Sequence, residues 1–92
     1  YLYFASQIHS GLDGLERRLD PGSPEDTPYE SKGALLPRTL GEALAALHED
    51  AALRAGLGGA FVDYFCRLKD AEIARFNLEV SEWEQREYFD LY

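Results

Sequence analysis

The sequence predicts an all-α chain, and three observations carry that prediction. Apolar residues recur at helical spacing, as in Phe4, Ile8, Leu12, Leu15 and Leu19, four, four, three and four residues apart. Two hydroxyl-to-glutamate pairs three residues apart, Thr39 with Glu42 and Ser81 with Glu84, have the form of capping boxes. No segment shows the two-residue alternation of a half-buried strand.

The first helix is expected over residues 2–19, its stripe widened at the start by Leu2, Tyr3 and Ala5. Gly11 and Gly14 each cost a helix interior about 1 kcal/mol relative to alanine, so they predict a close backbone approach or a break. Arg17 and Arg18, followed by Asp20, Pro21 and Gly22, form a stop. All four prolines, Pro21, Pro24, Pro28 and Pro37, fall in the loop expected over residues 20–38. A structureless connection of about 18 residues is unusual in a small domain unless it is functional or lies on a neighbouring body.

Thr39 then caps a helix over 40–48 with Leu40, Ala43, Leu44 and Leu47 on one face, and Asp50 caps another over 51–56. The cluster Gly56, Gly58 and Gly59 ends that helix. The longest helix is expected over 60–80, with Phe61, Phe65, Leu68, Phe76 and Val80 along one side and Val62 and Ile73 near it. Ser81 starts a terminal helix over 82–90. Trp83, Tyr88, Phe89 and Tyr92 crowd that end of the chain, and large aromatics bury about 150–250 Å² each when covered, more than so few helices readily shelter. These four residues are therefore the candidate interface, with the chain expected to associate with itself or with the rest of its parent protein.

The 92 residues make one small domain at most, and a formal charge of −8 disfavours nucleic acid or an anionic membrane as a partner. The longest uncharged stretch, Tyr1 to Leu12, is well short of the roughly 18 apolar residues of a membrane span, and no secretory signal is evident. The lone Cys66 fits a reducing compartment, so a cytoplasmic location is expected. A chain that opens on Tyr1 and holds no methionine is expected to be a fragment or a processed product.

Spacing offers no chemistry. His9, Asp13 and Glu16 lie one turn apart but lack further ligands nearby, so no metal site is proposed. Cys66 has no histidine close in sequence and is expected to be a buried structural thiol. The Gly56–Gly59 cluster lacks the strand and lysine of a phosphate loop, and Glu82, Glu84 and Glu87 fit a solvated helix face. No catalytic, cofactor-binding or metal residue is assigned.

Three separated motifs resemble the glutamine synthetase family. YLYFASQIHSGLDGLERR resembles the family's NPYLAFAAMLAAGLDGI, and LPRTLGEALAAL from Leu36 resembles its LPxSLxEALxAL. AFVDYFCRLKDAEIARFNLEVSEWEQREYF is similar to its final helices, with the K-x-x-E pattern at Lys69 to Glu72 and a W-E pair at Trp83 and Glu84. The resemblance implies that residues 1–92 are the helical C-terminal segment of an α+β catalytic domain. The intact enzyme would use ATP and a divalent metal, Mg or Mn, to join glutamate to ammonia or another amine as a γ-glutamyl amide. The family's metal, glutamate and nucleotide ligands lie upstream of the matching motifs, so none carries over and the segment alone is expected to be inactive, serving packing and subunit assembly. The YLYF end would pack beneath the active site. Some bacterial members accept a nucleotidyl group on a tyrosine set in NLYDLP, and Tyr29 stands nearest that position. Its setting, Thr27-Pro28-Tyr29-Glu30-Ser31, keeps an acidic neighbour but loses the flanking leucines and proline. The alternative is a free-standing acidic helical interaction module.

Overall fold

A computed structural model describes residues 1–30 and 32–91. It contains five helices, α1 (Leu2–Glu16), α2 (Leu40–Glu49), α3 (Ala51–Leu57), α4 (Gly59–Leu78) and α5 (Glu82–Tyr88), and no strand among the described residues. The all-α class is as the sequence predicts.

The caps explain most boundaries. Thr39 Oγ1 accepts from the Glu42 amide at 3.1 Å, while Glu42 reaches back one residue further than expected and accepts from the Arg38 amide at 2.8 Å. Asp50 Oδ1 accepts from the Leu53 amide at 2.8 Å to start α3. At α5 the box is reciprocal: Ser81 Oγ accepts from the Glu84 amide, and Glu84 Oε2 accepts from the Ser81 amide at 2.7 Å. Gly58, at φ 94°, separates α3 from α4 with a backbone conformation that only glycine adopts without strain.

The ends differ from expectation by one to three residues. The largest difference is at α1, which stops at Glu16 rather than residue 19. Arg18 adopts a left-handed conformation at φ 50°, its amide donates to the Leu15 carbonyl, and the Leu19 amide donates back to the Gly14 carbonyl at 3.0 Å. That pair of bonds is a Schellman motif with arginine where glycine is usual. At the other end of the chain, α4 closes at Leu78 rather than 80 because Glu79 turns extended, and α5 closes at Tyr88 rather than 90.

The core is small. Leu44 of α2 and Val62 and Cys66 of α4 are buried, with Leu47, Leu57, Phe65 and Ile73 packed partly around them. Cys66 is a free, buried thiol. Direct helix-to-helix packing joins α1 to α3, α2 to α4, and α3 to both α2 and α4. Helix α5 packs against no other helix. The radius of gyration is 18.4 Å, against about 12 Å for a compact domain of this length.

Helix α1 meets the bundle with an unexpected face. Its half-buried residues include Ala5, Ser6, His9 and Asp13, whereas the stripe of Phe4, Ile8, Leu12, Leu15 and Leu19 is exposed. Nothing lies within 4 Å of where a Cβ would stand on Gly11 or Gly14, so the close approach expected there does not occur among the described residues. It occurs instead at Gly56 of α3, where a Cβ would fall 2.5 Å from the His9 ring. The reason is the choice of face: α3 lies against the small and polar side of α1, and the imidazole covers bare backbone.

Candidate functional site

Two of the expected interface residues, Trp83 and Tyr88, form a unit on α5. Their rings meet edge to face with centroids 6.0 Å apart. Trp83 stays 55% and Tyr88 47% exposed, because no other helix covers them. Phe89 is more exposed still and borders a shallow surface with Glu82, Gln85 and Arg86. Tyr92 lies outside the described residues. The helix under these aromatics is held at its start by Glu84, whose carboxyl is kept below the ordinary carboxylate range by hydrogen bonds from the Ser81 backbone and hydroxyl.

Two concave apolar surfaces that sequence spacing did not single out complete the picture. A groove of about 570 Å³ runs between the start of α2 and the end of α4, walled by Leu40, Gly41, Ile73 and Phe76. A second hollow of about 290 Å³ separates Leu2 and Tyr3 of α1 from Phe61, Val62 and Phe65 of α4. Neither is visible from spacing, because each is made by residues far apart in the chain. The only available signal was the apolar character of Leu40 and Phe76 themselves.

A polar junction ties three helices on the outside of the core. Arg54 of α3 donates to Asp63 of α4 at 2.9 Å, and His48 of α2 stands 3.6 Å from the same carboxylate oxygen. The Arg54 hydrogen bond is the main influence that lowers the Asp63 pKa, with the guanidinium, His48 and Arg67 charges adding to it. Gly59 leaves room for this arrangement, since a Cβ there would lie 3.3 Å from the Arg54 guanidinium. All three side chains are at least a quarter exposed, so the junction orients helices and offers little of the desolvation that tunes a catalytic group.

No group of three or more His, Cys, Asp or Glu side chains among the described residues is placed to hold a metal. Asp13, paired in sequence with His9, instead accepts two bonds from Arg17, at 2.9 and 2.6 Å. The divalent metal implied for an intact enzyme therefore has no fitting donor set in these residues. Tyr29 is fully exposed on a turn closed by the Glu30 amide donating to the Thr27 carbonyl at 3.0 Å. No helix among the described residues is long and apolar enough to cross a membrane.

Comparison with known proteins gives these surfaces a context. The family described as "Glutamine synthetase, catalytic domain" matches residues 1–88. The chain is 43% identical to a γ-glutamylanilide synthase of an Acinetobacter species over 103 aligned positions, covering 99% of this chain and 21% of that protein. It is 40% identical to the glutamate–methylamine ligase of Methyloversatilis universalis, covering 100% of this chain and 23% of that one. The glutamine synthetase of Archaeoglobus fulgidus is 34% identical, over 99% and 20% respectively. The chain thus spans about a fifth of the length of the curated relatives it matches. No solved structure matches it. With the first two motifs inside the matched span and the third inside it up to Tyr88, the chain belongs to the glutamine synthetase family and corresponds to part of its catalytic domain.

Proposed function

We propose that the chain is the helical assembly segment of an ATP-dependent ligase that joins the γ-carboxyl of glutamate to an amine larger than ammonia. The observation that carries this reading is the family match over residues 1–88 together with the order of identities. The anilide synthase at 43% and the methylamine ligase at 40% stand above the archaeal glutamine synthetase at 34%. ATP and the divalent metal would bind to portions of the protein other than these residues. The segment's own contribution is packing: the outward stripe of α1 and the aromatics of α5 are surfaces that the rest of the protein and its neighbours cover. A cytoplasmic setting, in keeping with the free Cys66 thiol, belongs to the same reading. The acidic interaction module has no observation of its own in its favour, since the same exposed faces serve both.

The test has two arms. In a chimera, residues 1–92 replace the corresponding segment of the methylamine ligase, and release of phosphate from ATP with glutamate and methylamine is followed. The chimera is expected to turn over and the isolated chain to remain at the protein-free blank. A soluble, assembled chimera without turnover, or activity in the isolated chain, overturns the reading. For the amine, the parent protein is assayed with ammonia, methylamine and aniline, and a preference for ammonia overturns that part alone.

A further inference from the structure

We draw no further inference here: the strongest candidate, the apolar groove between the start of α2 and the end of α4 walled by Leu40, Gly41, Ile73 and Phe76, carries nothing, because nothing in the structure shows what covers it.

Discussion

Helices α1 and α4 are both amphipathic, and they use their apolar faces in opposite ways. Val62 and Cys66 of α4 turn inward against Leu44, with Phe65 and Ile73 at the edge of that contact. Helix α1 keeps Phe4, Ile8, Leu12, Leu15 and Leu19 exposed and offers α3 its small and polar side. Periodicity says that a helix has a face to bury; it does not say what will bury it. Where a single chain supplies both partners, as in α2 and α4, a core forms. The stripe of α1 meets no such partner among the described residues and stays exposed.

The comparison breaks most visibly at the core. Leu44→Ala is expected to cost about 2–5 kcal/mol in urea denaturation, because the cavity has few neighbours able to close it. Leu12→Ala on α1 is expected to fall within about 0.5 kcal/mol, as an exposed substitution should. Equal effects would show that the α1 stripe is buried in solution. Glycines give a test of opposite sign. Gly56→Ala must displace the His9 ring and is expected to destabilise by about 1–3 kcal/mol. Gly11→Ala meets open space and is expected to stabilise by about 1 kcal/mol. Gly56→Ala with His9→Ala restores the room, so recovery of stability in the double variant checks the contact itself.

Smaller still is the helix end. Arg18 holds a left-handed conformation that costs a non-glycine residue about 1 kcal/mol, so Arg18→Gly is expected to raise stability by up to that amount. A loss on the same substitution would mean that the arginine side chain contributes more than its backbone strain. The smallest effect concerns pH. Asp63 and Glu84 both have folded-state pKa values lowered, by Arg54 and by Ser81 respectively. Their stabilisation is present above the unfolded carboxylate range and is lost as pH falls through the folded values. Helical circular dichroism should hold from neutrality to about pH 4 and decline below it. Ser81→Ala should flatten the part of that decline belonging to α5.

Helix existence was legible because caps are local: Thr39, Asp50 and Ser81 each announce a start within three residues. The end of α1 was not, because the Schellman motif is built on arginine and carries no glycine to mark it. Gly11 and Gly14 misled for a related reason, since a missing side chain is visible in sequence but the neighbour it admits is not. The groove and the Arg54–Asp63–His48 junction were illegible in principle, being made where α2, α3 and α4 converge. That Trp83 and Tyr88 stay partly exposed was legible, because large aromatics on a short terminal helix have few places to go.

The stretch between α1 and α2 has a consequence for how the family can vary. Every described residue of 17–38 is exposed, and hydrogen bonds within it join near neighbours, as the Gly22 amide does with Asp20 and the Thr27 amide with Glu25. Changing the length of such a connection alters closure entropy only logarithmically, by about 0.6 kcal/mol for each doubling. Insertion or deletion here is thus nearly neutral for folding, whereas one residue added within α4 would rotate Phe76 and Ile73 by about 100° away from the groove. Alignment of these 92 residues over 103 positions with the anilide synthase requires gaps in this chain, and residues 17–38 are where such gaps are tolerated at least cost. Length is free to drift there while the helices on either side keep their register.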